Sequence, residues 1–264
     1  MPLTRTVGPI TVTALLDAAG PAFLTRSAAF PEATDAQWAE AGSLDPGAVA
    51  ADGSWWLSFR SFAIRYADGP VFLVDAGVGP ADSLAASYAP VPGRLPAELS
   101  EAGIDPAEVT AIVLTHLHGD HVGWAVPDDS PFTNARVIAQ RADVASYTAN
   151  RDQAGQYDRL IAPLRAAGRL QELDGGLVLA PGVRIVPTPG HTPGHQSVWA
   201  YQGSESLLVT GDLLVHAVQL VDPDVAYAND VDPSLARATR RAVLDDVRTR
   251  GSALAVSHLG TEFR

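Results

Sequence analysis

The 264-residue chain has no cysteine. Disulfides, thiolate metal sites and cysteine nucleophiles are therefore excluded, and any metal must be held by nitrogen and oxygen. Lysine is missing as well, since all 18 basic residues are arginine. A lysine Schiff base or a phosphate-loop lysine is thus impossible. No apolar run approaches the roughly 20 residues of a membrane span. The start, Met1 to Arg5, is not a basic region leading into an apolar stretch, so no signal peptide and a cytoplasmic location are expected. Positive charge is scarce, the formal balance being −12. Such a surface repels phosphate backbones at long range, which predicts no nucleic-acid partner, and no membrane partner is expected either.

What is present is a 47 % hydrophobic chain able to bury a sizeable core, with no internal repeat or low-complexity linker to divide it. One domain over residues 1–264 is expected. Val7 to Leu16 reads as a first strand. Ala18 to Ser54, with Pro21, Pro31 and Pro46, reads as an irregular arm or lid, because so long a connection is uncommon in a compact domain unless it serves a function. Further strands are predicted over Trp55 to Tyr66, Val71 to Val74, Ala111 to Leu114 and Arg136 to Ala139. Others are predicted over Leu177 to Leu179, Val183 to Val186, Ser197 to Tyr201, Leu207 to Val209 and Ala253 to Val256. Asp68-Gly69 marks a hairpin turn. Helices are predicted around Pro96 to Gly103, after the Asp105-Pro106 cap, over Gln140 to Thr148 and Gln156 to Ala167, and over Pro233 to Arg250. Two sheets with helices outside them fit this order, an α/β class.

The strongest chemical signal is His116-x-His118-x-Asp120-His121. A lone histidine in a polar loop is usually a hydrogen-bonding residue. Three histidines and an aspartate within six positions are better explained as ligands of one or two divalent ions. A second cluster, Thr188-Pro189-Gly190-His191-Thr192-Pro193-Gly194-His195, presents its histidines on rigid Pro-Gly turns. His191 is taken as the ligand, and His195 as a residue that orients neighbours or fills a core hydrogen bond. Asp212, after Thr210-Gly211, can bridge two ions, and His258 lies just past the final strand. Each is weak alone. Together with the first two clusters they complete seven ligands, each just beyond a short apolar strand, where side chains can share one crevice. Only His195 and His216 remain of the seven histidines. His216 can reach the mouth of the site, bond a ligand carboxylate, or be purely structural.

These residues resemble those of the metallo-β-lactamase superfamily: the HxHxDH loop, a later TPGHTPGH, a Gly-Asp and a final His. Leu73-Val74-Asp75-Ala76-Gly77 is similar to that superfamily's early turn, with Ala76 in place of its usual Thr. The His121-Val122-Gly123-Trp124 segment, Phe132 to Arg136, Gly211 to His216, Gln219, and the long arm before Trp55 look like the branch with methyl parathion hydrolase and quorum-quenching lactonases. Val215 departs from the Tyr that acyl-homoserine lactonases often carry. His118 stands where flavodiiron proteins carry Glu.

The resemblance implies a four-layer αββα sandwich. One ion would be held by His116, His118 and His191, the other by Asp120, His121 and His258, with Asp212 between them. It also suggests a homodimer formed through the arm. The expected cofactors are two divalent ions, zinc first, with manganese, iron or cobalt compatible with the same donors. The expected activity is hydrolysis of a small-molecule ester, lactone or organophosphate by a hydroxide shared between the ions, with lactones and esters favoured. The alternatives are a phosphotriesterase-like enzyme or a non-catalytic metal-binding regulator. Asp120 is the expected proton carrier. Trp124 and Phe30 are substrate-side candidates, within an expected apolar mouth that also includes Trp55, Trp56, Phe23 and Phe132, although Trp56 and Phe59 read better as core.

Overall fold

The computed structural model describes residues 1–67, 69–128, 130–149 and 154–264. Asp68 of the expected hairpin turn lies outside the described residues. The β-branched and apolar runs form two sheets. In the first, β1 (Thr4–Val7), β2 (Ile10–Pro21), β3 (Trp56–Tyr66) and β4 (Val71–Val74) are joined antiparallel. β5 (Val109–Val113), β6 (Arg136–Gln140) and β7 (Leu170–Leu173) continue it in parallel. In the second, β8 (Leu177–Ala180), β9 (Val183–Pro187), β10 (Gln196–Gln202) and β11 (Glu205–Val209) run antiparallel, and β12 (Ala253–Ala255) adds in parallel at the edge.

Strand alternation sorts the side chains into three cores. Phe62, Ile64, Phe72, Val74, Ala111 and Val113 face Val183, Ile185, Val198, Leu207 and Val209 between the two sheets. The opposite face of the first sheet, with Leu73 and Ile112, packs on Leu95 and Leu99 of α3 (Leu95–Glu101) and on Val144 and Tyr147 of α5 (Arg141–Ala149). The outer face of the second sheet, with Leu208 and Leu254, packs on Leu244 and Val247 of α9 (Pro233–Arg250) and on the N-terminal arm. Helix, sheet, sheet, helix is the αββα order.

Several elements differ from their sequence reading. The first strand is two strands, and the second runs on to Pro21, into the segment read as irregular. The rest of that arm is ordered. α1 (Arg26–Ala29) is capped by Thr25, and α2 (Asp35–Leu44) by a reciprocal box in which Thr34 and Gln37 each bond the other's backbone. Asp105 does cap, but it opens only a single 3-10 turn, Pro106–Glu108. The helix read over Gln156 to Ala167 is α6 (Ala154–Gln156), a π turn (Tyr157–Ile161) and α7 (Ala162–Ala166). β7 and the short α8 (Val218–Val221) had no sequence reading.

Candidate metal centre

The HxHxDH segment begins where β5 ends, and its backbone is fixed by an unusual residue. Asp75, after β4, has φ of 62°, a left-handed conformation that is uncommon outside glycine and clusters at functional sites. In that pose its carboxylate accepts from Thr115 N (2.7 Å), Thr115 Oγ1 (2.9 Å) and His121 Nδ1 (2.8 Å). The end of β4 thereby holds both ends of the ligand loop. α4 (Gly119–Val122) starts within that loop. Gly211, at φ of 54°, lets the backbone before Asp212 run so close that a Cβ would lie 2.7 Å from Thr115 and 2.8 Å from His195 Nε2. His195 in turn accepts the Asp212 backbone N–H at 3.0 Å.

All seven expected ligands come together, in two groups. One is His116, His118, His191 and Asp212, the other Asp120, His121 and His258, with one donor atom from each member lying within 4.8 Å of the others in its group. His118 Nδ1 lies 2.8 Å from His116 Nε2 and 3.1 Å from His191 Nε2. Asp120 Oδ2 lies 3.5 Å from His121 Nε2 and 3.6 Å from His258 Nε2. Asp212 divides its oxygens between the groups. Oδ2 is 3.3 Å from His191 Nε2 and 3.9 Å from His116 Nε2, while Oδ1 is 3.1 Å from His121 Nε2 and 3.0 Å from His258 Nε2. Donors about 2.0–2.1 Å from a tetrahedral zinc stand about 3.3 Å apart, near the middle of the range seen, 2.8 Å to 3.9 Å.

The chemistry of the donors also calls for cations. His121 Nδ1 donates to Asp75, His258 Nδ1 to the Ser58 carbonyl (2.7 Å) and His191 Nδ1 to Asp230 Oδ1 (3.0 Å). These bonds fix the outward nitrogens as the protonated ones and leave bare Nε2 lone pairs facing inward. Yet His121 Nε2 and His258 Nε2 sit 3.2 Å apart, a repulsive contact unless positive charge lies between them. Asp75 and Asp212 are buried and Asp120 nearly so, and their only ion-pair partners among the described residues are histidines. Ionised carboxylates are not buried without compensating charge. The donor set therefore fits two divalent ions.

The proton affinities divide in the same way. Burial and the neighbouring His121 push His116 well below its usual value. Burial and His191 bring His118 to about 4, and the same two causes bring His195 to about 3. Burial acts the same way on His121 and His258, but the carboxylates around them, Asp212 first and Asp120 with it, together outweigh it and raise both. Burial would raise Asp120, but His121 and His258 hold it below the ordinary carboxylate range. The carboxylates thus demand positive charge at the second group.

The substrate-side expectations need correction. Phe30 is fully buried and packs on Trp38, Trp55, His216 and Tyr227, away from any mouth. Trp124 packs against the core behind the first sheet and donates Nε1–H to Asp17 at 3.1 Å. His216 does not reach a ligand carboxylate. It lies among Phe30, Trp38 and Trp55, and its Nδ1 accepts from Val218 N. Trp55 and Phe132 are buried, whereas Trp56, read as core, is at the surface. The cavity over the ligands, of about 300 Å³, is lined instead by Phe23, Leu57, Tyr88, Tyr147, Val215 and Tyr227, with Gln156 and Asn229. Of the expected aromatics only Phe23 is there. Asp230, Tyr88 and Ser58 had no reading in the sequence. Each meets its histidine or aspartate only through the fold, with no local spacing to reveal it.

A β-β core flanked by helices, with histidines and aspartates gathered at the strand ends in two groups that could each hold a metal ion, defines a class of metal-binding αββα proteins. The sequence pattern of the metallo-beta-lactamase superfamily matches residues 60–258, and the chain belongs to that superfamily. Among curated relatives it is 29 % identical over 161 residues to the N-acyl homoserine lactonase AiiA of Bacillus thuringiensis subsp. kurstaki, covering 61 % of this chain and 60 % of the relative. The chain thus spans about three fifths of that relative's length. Among solved structures it resembles the hydrolase AbOPH of the beta lactamase superfamily, at a TM-score of 0.79 and 25 % identity over 100 % of this chain and 96 % of the other. It also resembles AidC, described as a dizinc quorum-quenching lactonase, at a TM-score of 0.75 and 20 % identity over 97 % and 90 %. The likeness to AidC concerns the fold.

Proposed function

We propose that this protein is a dinuclear metal-dependent hydrolase of small esters, with lactones the favoured class. The observation that carries this is Asp212, whose two oxygens each face a separate set of histidines. When bound, two divalent ions acidify a water toward neutrality and polarise the substrate's carbonyl. His116, His118 and His191 would hold one ion, Asp120, His121 and His258 the other, and Asp212 both. Zinc is the proposed metal, since its tetrahedral spacing matches the donors. Asp120 lines the cavity and is the group proposed to carry a proton towards the leaving oxygen. The apolar wall of Phe23, Leu57, Val215 and the tyrosines suits a lactone or ester with a hydrophobic tail. The curated relatives named as lactonases support the same class. The arm supplies Phe23 to this wall, so residues 1–264 act as one domain with the arm as part of its cavity.

Elemental analysis followed by a panel of lactones, aryl esters and phosphotriesters tests the reading. Two equivalents of zinc and turnover of lactones or esters are expected. His118→Ala is expected to lose at least one ion and all hydrolysis, and full activity in that variant would defeat the mechanism. Preference for phosphotriesters would move the assignment to that class. Two equivalents without any turnover would make this a metal-binding regulator.

A further inference from the structure

We infer that Tyr88 is the positioning residue of Asp120, and that the arm acts on one of the two ion sites through it. The inference deepens the two-ion reading above and rests on it. A phenol has one proton to give and two lone pairs to receive. The Tyr88 hydroxyl donates to Asp120 Oδ1 at 2.9 Å and accepts the Asp120 backbone N–H at 3.1 Å. Its single proton is therefore spent on one carboxylate oxygen, and nothing is left to offer a substrate, although the ring lines the cavity. The carboxylate is held by one oxygen while the other, Oδ2, is turned toward His121 and His258. Fixing both the backbone and the side chain of one residue defines the direction of Oδ2 more narrowly than either bond alone.

Two neighbours keep Tyr88 in this role. Gly119 makes room for it, since a Cβ there would lie 2.8 Å from the Tyr88 hydroxyl and from the Leu84 backbone. The glycine inside the ligand motif is thus matched to the tyrosine 31 positions earlier, which is 119 less 88. Phe23, on the arm just past β2, packs on the Tyr88 ring with centroids 5.3 Å apart at 60°. The arm thereby touches Asp120 through a single intermediate side chain. Among the described residues, Tyr88 bonds only Asp120 with its hydroxyl, so removing the oxygen leaves the other ion's ligands untouched.

The test starts from zinc-loaded protein titrated with a competing chelator, counting zinc retained per chain, beside the visible spectrum of the cobalt-substituted form. In Tyr88→Phe one equivalent is expected to leave at chelator concentrations about 10–100-fold lower, with the other unchanged, and the spectrum of one cobalt ion altered. At saturating zinc, kcat is expected to fall while KM stays within about twofold, because an oriented ligand serves the reaction more than ground-state binding. Phe23→Leu loosens the ring from the arm side and is expected to move the same equivalent by a smaller factor. It stands in if Tyr88→Phe does not fold. Release of both equivalents as in the parent, or earlier release of both together, overturns the role of Tyr88 and leaves the two-ion reading standing. A parent that retains fewer than two equivalents overturns both.

Discussion

The division of labour at Asp212 sets what its amide would do. In Asp212→Asn one terminal oxygen becomes an NH2 group, which can only donate, and it would face either the His116/His191 or the His121/His258 nitrogens. One group of ligands would then meet a donor where an anion is needed. Loss of at least one zinc equivalent is expected, with kcat/KM falling by more than the roughly 100-fold that outer partners of ligands cost. Elemental analysis with steady-state kinetics reads both. Asp230 is such an outer partner. It accepts from His191 Nδ1 and pairs at 3.4 Å with Arg240, a buried guanidinium that also donates to the Leu213, Pro223 and Val225 carbonyls. Asp230→Asn keeps an acceptor for His191 and removes the charge, so zinc affinity about 10-fold weaker is expected, with the fold intact by circular dichroism. At this scale the sequence was legible where ligands share a motif. The three histidines and the aspartate of HxHxDH announce themselves by density. Asp230 is 39 positions from its histidine in an acidic loop, and no spacing rule connects the two.

Elements were legible where one face repeats and obscure where polar residues do the work. The period of α9 is plain in Leu244 and Val247. The arm, by contrast, looked irregular because its prolines mark the ends of short elements: Pro21 closes β2, Pro31 lies between α1 and α2, and Pro46 opens a 3-10 turn after α2. The signal for α2 was there, as Thr34 with Gln37 three positions on is a capping box, but the helix behind it buries little except Ala41. β7 reads Leu-Gln-Glu-Leu, without the β-branched residues that mark strands, and forms only as the parallel edge of the first sheet. The aromatic residues of the arm misled for a related reason. An aromatic looks the same in a core or a mouth, and Phe30, Trp38 and Trp55 enclose His216 rather than a substrate. That enclosure has a pH consequence. Burial brings His216 to about 4, while Asp45 and Arg26 act on it in opposite directions. Unfolded, it titrates near 6.5. The unfolded chain therefore takes up the proton first, and stability is lost as pH falls from about 6.5 towards 4. His216→Asn keeps an acceptor for the Val218 N–H and cannot titrate. Between pH 7 and pH 5 the parent is expected to lose about 2 kcal/mol more than this variant in urea unfolding. Because the metal ligands titrate in both proteins, the difference isolates His216, and equal losses would sink the assignment.

Across the whole molecule, the two proposed ion sites lie on the seam between the sheets. His116, His118, Asp120 and His121 come after β5 of the first sheet, whereas His191, Asp212 and His258 come after strands of the second. Each group of ligands draws on both sheets. An ion that binds only the folded chain therefore also fastens one sheet to the other. Binding linkage gives about 2.7 kcal/mol of stabilisation for each site when free ion is 100 times its dissociation constant. Zinc should accordingly raise the melting temperature in a concentration-dependent way, and a chelator should lower it. The apolar interface between the sheets, Phe62 to Val209, does not depend on the metal, so the stripped protein should still fold. Its weakening should be local: hydrogen exchange is expected to rise together at the ends of β5, β11 and β12, while the middle of β3 stays protected. Faster exchange at the end of β5 alone would mean that the ions bind the HxHxDH loop without joining the sheets, and the bridging role of Asp212 would go with it.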